Sequence, residues 1–258
     1  STANAVVLRE FGTAAIRIDD ETGRSYIDYE YHVKIKIFNK QGDEEANIQI
    51  PLWSYGNGDT KDELASIAGV TINYTDGQVI KTNLNDKQVF TDQKSKYLSV
   101  KKFTMPNIQP GSIIEYRYRI KRPYLFNFVT WEFQSAIPKL HSEFIGFIPP
   151  LYNFNASIRG FYKLTDQKAE LSKGCLRIRG VDIDCSKMTY LMKDIPAFIE
   201  EDYMTAAMNF KSAIYFELSD IQHFTGGTSK ITKTWKSVDY ELTGDKSFGG
   251  QIKKKDLF

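Results

Sequence analysis

The chain is poor in the residues that do most chemistry in enzymes. Only two of its 258 residues are cysteine and three are histidine. His32, His141 and His223 stand far apart, with neither a His-Glu-x-x-His pattern nor a Cys/His cluster, so no transition-metal site is expected. Each histidine reads as a surface or hydrogen-bonded residue rather than a base. A Gly-x-Ser-x-Gly elbow is missing, as is a phosphate-cradling glycine loop; Gly226-Gly227 is an isolated turn. No cofactor is expected. No apolar run approaches the roughly 20 residues that a bilayer span needs. Excess charge is also lacking: 34 Lys and Arg face 32 Asp and Glu, a formal +2. That balance argues against a nucleic-acid module, which carries a concentrated basic surface. The basic run Lys253-Lys254-Lys255 reads as a solvated tail. The opening Ser1-Thr2-Ala3-Asn4 has no initiator Met, and it fits a cleaved signal peptide or a trimmed start equally well.

What the chain does have is alternation. Seventeen Phe, 15 Tyr and 3 Trp stand largely at every second position, which favours sheet over helix. Tyr29, Tyr31, Val33, Ile35 and Ile37 alternate with Glu30, His32, Lys34 and Lys36, the pattern of a strand with one buried and one wet face. Asn39-Lys40-Gln41-Gly42 should end it, before a second alternation at Ile48, Ile50 and Leu52. Gly69–Tyr74, Thr75-Asp76-Gly77 and Gln78–Leu84 form the clearest hairpin, because Asp-Gly suits a type I′ turn. Pro110-Gly111 is a turn signal, and the strand after it sends Ile114, Tyr116, Tyr118 and Ile120 one way and Glu115, Arg117 and Arg119 the other. It should be central in its sheet, with Tyr116 and Tyr118 in the core. Further strands are expected at 97–105, 129–135 and 154–161. Strands at 8–12-residue spacing indicate an all-β fold: a large antiparallel sandwich, or two lobes at 1–140 and 141–227. Residues 228–258 read as helix and linker. Ile231, Trp235, Val238 and Leu242 have helical spacing, with Thr228 or Ser229 as N-cap. Short helical turns are also expected at 59–68.

Cys175 and Cys185 flank a hairpin around Gly180. A three-residue loop at 179–181 sets the two cysteines opposite one another, within reach of a disulfide. A two-residue loop at 179–180 matches the apolar faces better but sets Cys175 against Asp184. Both registers remain open. A catalytic thiol is disfavoured, since a strand activates a cysteine poorly.

Few residues suggest a site. Trp53-Ser54-Tyr55-Gly56-Asn57 resembles an aromatic-polar loop able to stack on a sugar or peptide, and Trp131 is a further candidate for such an exposed aromatic. A lid over the core edge is the plainer role for Trp53. Glu200-Glu201-Asp202 could supply paired carboxylates, but neighbours on a strand point to opposite faces, so a solvated run is the simpler reading. Asn57-Gly58-Asp59 with Asp62 and Glu63 is oxygen-rich without the spacing of a calcium loop.

Several segments, in order, resemble the family called domain of unknown function 3857: "AVVL" (5–8), "VKIKIFNKQG" (33–42), Asp76-Gly77 before a strand, "MPNIQPGSIIEYRYRI" (105–120), "WEFQSAIPKLHSEF" (131–144) and "KDIPAFIEEDYM" (193–204). The resemblance implies an all-β module lying N-terminal to a transglutaminase-like, papain-type domain in exported bacterial proteins of Bacteroidetes type. It implies a non-catalytic role here, with that downstream domain as partner and with no catalytic residue carried over. "TWKSVDYELTGDKSFGGQIKK" (234–254) resembles the lead-in to the second domain. The export it implies favours the Cys175–Cys185 disulfide.

Overall fold

The computed structural model describes residues 3–55, 60–126, 128–178, 180–223, 226–231, 235–245 and 247–252. The strands are β1 Ala5–Ile18, β2 Ser25–Ile37, β3 Asn47–Tyr55, β4 Thr60–Lys61, β5 Glu63–Thr75, β6 Gln78–Asn83, β7 Phe90–Ser95 and β8 Leu98–Thr104. They continue with β9 Ile113–Arg122, β10 Trp131–Glu132, β11 Lys139–Ile148, β12 Tyr152–Arg159, β13 Asp166–Ile178, β14 Val181–Ile195, β15 Ala213–Gln222 and β16 Thr228–Lys230. Two helices follow, α1 Trp235–Gly244 and α2 Gly249–Ile252.

One eight-stranded sheet, ordered β13-β14-β11-β1-β2-β9-β5-β6, forms the base. Its pairs are antiparallel except β1 with β11. Strand β1 therefore ties residues before position 140 and after it into one continuous sheet. Two smaller sheets cover a single face of it. The β4-β3-β8-β7 sheet lies over the β9 end, where Phe103 meets Tyr116 edge-on at 6.0 Å. The β10-β15-β12 sheet lies over β11 and β14, where Phe216 sits 5.8 Å from Phe144 and 5.9 Å from Tyr190. The opposite face stays in water, which is why β2 and β9 alternate apolar with charged residues along their whole length.

Most of the expected elements form. Strand β9 lies between β2 and β5, with Ile114 and Ile120 buried and Tyr116 and Tyr118 packed on the core. Asp76 and Gly77 both take positive φ, as a type I′ turn requires. Gly111 also takes positive φ in the Pro110-Gly111 turn. Three expectations fail. In place of the helical turns at 59–68 stand β4 at Thr60–Lys61 and β5 from Glu63, because β5 finds a partner in β9 and pairing outweighs weak local preference. Thr228 and Ser229 lie in β16, paired with β15 rather than capping a helix, and α1 is described over Trp235–Gly244. The strand foreseen at 129–135 shrinks to Trp131–Glu132.

The hairpin between β13 and β14 resolves the two registers. Ile178 pairs with Val181 and Leu176 with Ile183, the two-residue-loop register, although Arg179 itself lies outside the described residues. A bulge between Ser172 and Leu176, with Gly174 at positive φ, then shifts the strand. The shift brings Cys175 to Cys185, and the two form a disulfide with Cα atoms 5.8 Å apart.

Candidate functional site

Among the described residues, four buried side-chain atoms lack a hydrogen bond. Two of them, on Asp62 and Arg122, face one another between β4 and the end of β9; the other two are on Asp43 and Thr71. Trp53 and Tyr55 lie on the last residues of β3, not in a loop as their composition suggested. Gly56, Asn57, Gly58 and Asp59 lie outside the described residues. The chain returns as β4, pairing Ser54 with Lys61 and Tyr55 with Thr60. That return places Asp62 beneath Trp53: the Asp62 amide donates to the Trp53 carbonyl at 2.7 Å, and the Trp53 amide donates to Asp62 Oδ2 at 3.2 Å. Arg122, the last residue of β9, approaches from the large sheet with Nε 3.8 Å from Asp62 Oδ2. Its guanidinium also covers the Tyr29 ring at 5.0 Å.

The Asp62 side chain is fully buried. Among the described residues its Oδ1 has no hydrogen-bond partner, and neither has Arg122 Nε. Burial raises the Asp62 carboxyl above the usual carboxylate range, although Arg122 and the Trp53 amide pull it down. Burial, and then the charge of Asp62, push the Tyr55 hydroxyl up to about 12. Orphaned polar atoms at two facing positions are costly, and structures retain them mainly where something else supplies the bond.

Aromatic rings rim this pair. Tyr55 stacks on Tyr124 at 4.5 Å with planes 11° apart, and Tyr124 leans on Phe126 at 5.0 Å. Phe126 is anchored by its carbonyl, which accepts from the Leu218 amide of β15 at 3.0 Å. The 123–126 segment thus bridges the two small sheets. Trp53, Tyr124 and Phe126 are all substantially exposed. Sequence reading found Trp53 and Tyr55 but missed Tyr124, Phe126 and Arg122. The aromatic string 124–128 was the available signal, and nothing local tied it to position 55.

Trp131 corrects the sequence reading. It is 3% exposed and lies over Gly12, stacked on Phe144 at 5.4 Å, so it offers no surface to a ligand. Its indole N–H donates to Ser142 Oγ at 3.0 Å. Ser142 in turn donates to Glu10 Oε2 at 2.6 Å, Tyr31 donates to Glu10 Oε1 at 2.8 Å, and Lys139 Nζ reaches the two carboxylate oxygens at 2.9 and 2.7 Å. This buried and well-bonded network clamps β10, β1, β2 and β11 together. A large aromatic on a two-residue strand can satisfy its polar edge inward, which its flanking residues do not reveal.

The remaining sequence candidates are scattered. Glu200, Glu201 and Asp202 lie in an exposed irregular segment, not on a strand. His32 and His141 face water on the large sheet, beside Glu115 at 2.8 Å and Glu143 at 3.0 Å. Among the described residues no group of three or more His, Cys, Asp or Glu could hold a metal ion. No helix among them is long and apolar enough to cross a membrane.

The architecture is that of an all-β domain with a large sheet covered on one face. The profile of the family described as Domain of Unknown Function with solved-structure structure (DUF3857) matches residues 25–174, and the chain belongs to that family. A crystal structure of a protease candidate from Parabacteroides distasonis ATCC 8503 shares the fold, with a TM-score of 0.61 at 13% identity over 84% of this chain and 41% of that one. This chain therefore spans less than half the length of that protein. A two-domain M1 zinc metallopeptidase bound to tryptophan, 11% identical over 96% of this chain and 55% of that one, has a TM-score of 0.34, too low to establish a common fold. No curated protein sequence matches.

Proposed function

We propose that this chain is the non-catalytic β module of an exported, transglutaminase-like protein of papain type, and that it positions or regulates the downstream domain or its substrate. The observation that carries the reading is the fold's occurrence as 41% of a longer chain described as a protease candidate. Membership of the family and the Cys175–Cys185 disulfide, a bond at home in oxidising compartments, agree with it. The test uses the longer protein, assayed for thiol-dependent hydrolysis or amide exchange on peptide and peptidoglycan-like substrates, with and without residues 1–258. Loss of turnover without the module is the expected result. Thiol-dependent activity in the isolated module, or turnover indifferent to its removal, would overturn the proposal.

A second reading, a glycan- or peptide-binding module, rests on the rim of Trp53, Tyr55, Tyr124 and Phe126 around the unpartnered Asp62 and Arg122 atoms. Exposed rings grip sugar or peptide planes, and the buried Asp62 and half-buried Arg122 beneath them hold the rim's strands in place. A glycan array and peptide panel should yield a ligand whose affinity falls at least tenfold in Trp53→Ala. Binding that ignores Trp53, Tyr55 and Tyr124 alike would remove this reading.

A further inference from the structure

The wet face of the large sheet contains a gap in its charge pairing. On β9 the outward residues are Glu115, Arg117, Arg119 and Lys121. Glu115 binds His32 at 2.8 Å and Lys34 at 2.9 Å, and those two hold its carboxyl below the usual range against the opposing effect of burial. Arg119 Nε donates to Asp28 Oδ1 at 2.6 Å, and Lys121 lies 3.7 Å from Asp19. Arg117 has no such counter-ion among the described residues. Its register partners are His32 on one side and Ala68 on the other.

Small residues make room beside it. Beside Arg117 and Arg119, strand β5 presents the small Ser66 and Ala68, both exposed, while Glu63 stands opposite Lys121 and Val70 opposite Glu115. Two cavities, of about 250 and 480 Å³, share His32, Ala68 and Arg117 in their walls. Asn83 lines the first, and Glu30, Ser66 and Arg119 line the second. Glu30 is the acidic group nearest that second hollow, and it is turned toward Arg119 at 3.9 Å.

The edge next to the hollows is open as well. Strand β6 pairs only with Val70–Thr75 of β5, and the Leu84 amide makes a last bond to the Gly69 carbonyl at 2.8 Å before the chain leaves. From Glu63 to Ala68, β5 is paired to β9 on one side and to no strand on the other among the described residues. An unpaired edge offers a row of N–H and C=O groups to an added strand. Side chains of that strand on the wet side would project over Ser66 and Ala68, two strand spacings of about 4.8 Å from β9, within reach of a guanidinium.

We propose that this edge receives an extended acidic peptide segment of a partner protein, which pairs with β5 at 64–68 and sets a carboxylate on Arg117. Backbone pairing supplies affinity, and the unpaired guanidinium supplies the choice of acid over base, since its fork matches a carboxylate bidentately. The site is independent of the proposed enzymatic context.

The test mixes the protein with a nine-residue peptide of alternating Val and Glu, and separately with its Val–Lys counterpart. Amide exchange would be followed residue by residue, and affinity by fluorescence anisotropy at low and high salt. The acidic peptide should protect amides within 64–68 and bind less tightly as salt rises, while the Lys peptide stays unbound. Arg117→Gln should weaken binding at least tenfold, and Ser66→Glu should do the same from the opposite strand. Both residues are exposed, so both variants should keep the wild-type fold. No binding up to about 1 mM peptide, equal binding by Arg117→Gln, or protection confined to another edge would each overturn the proposal.

Discussion

Lys139→Met isolates what the buried network does for the fold. The substitution keeps a long apolar stem and removes only the ammonium. In the wild type Glu10 is 5% exposed and receives two bonds from Lys139 and one each from Tyr31 and Ser142. Without Lys139 the carboxylate keeps two neutral donors but has no compensating charge, and the Glu132 carbonyl loses its donor at 3.1 Å. Breaking a buried pair from one side costs about 3–5 kcal/mol. In a chain of this size that lowers the midpoint by roughly 6–20 °C, at about 2–4 °C per kcal/mol. Thermal and urea unfolding followed by near-ultraviolet dichroism would measure it. Adding Glu10→Gln should recover most of the loss, because glutamine buries no charge, its oxygen accepts from one of the two hydroxyls and its NH2 donates to the other. A loss under about 1 kcal/mol for Lys139→Met, or a double variant no better than the single one, would refute the reasoning.

Further outcomes follow from other sites. Asp62→Asn should stabilise the protein at neutral pH by on the order of 1 kcal/mol. The folded Asp62 carboxyl is raised, so its ionised form is penalised; that penalty is full above the raised value and vanishes below the unfolded value near pH 4. Urea titrations should therefore show the gain at pH 7 and little at pH 4, and a less stable variant at pH 7 would contradict it. Gly12→Ala should destabilise by about 1–3 kcal/mol, since its Cβ would fall inside the Trp131 ring, which Phe144 and the Ser142 bond hold in place. An unchanged midpoint would mean that the indole can move. Removing the disulfide with Cys185→Ser closes no loop of 10 residues, a cost of roughly 2–3 kcal/mol in the chain-entropy account. Amide exchange should show that cost concentrated at the β13–β14 tip, and a uniform loss across all sheets would argue against a local role.

Much of this fold is legible residue by residue. The period of two at 29–37 and 113–120 set which side chains of β2 and β9 go inward, because the pleat leaves a strand no other choice. Asp76-Gly77 marked its turn because few residues accept positive φ. Strand pairing and packing decided the rest. Strand β5 exists because β9 pairs with it, and β16 because β15 does. A bulge at Gly174, invisible to turn chemistry, chose the disulfide over the simple register. Trp131 is buried because Gly12, 119 positions earlier, leaves space for its ring, and Ser142 Oγ accepts a hydrogen bond from its indole N–H. The candidate site is of the same kind: Tyr55, Asp62, Arg122 and Tyr124 meet only when three sheets close on one another. Local sequence sets the direction of a side chain, whereas its surroundings depend on long-range pairing and packing, which no short window encodes.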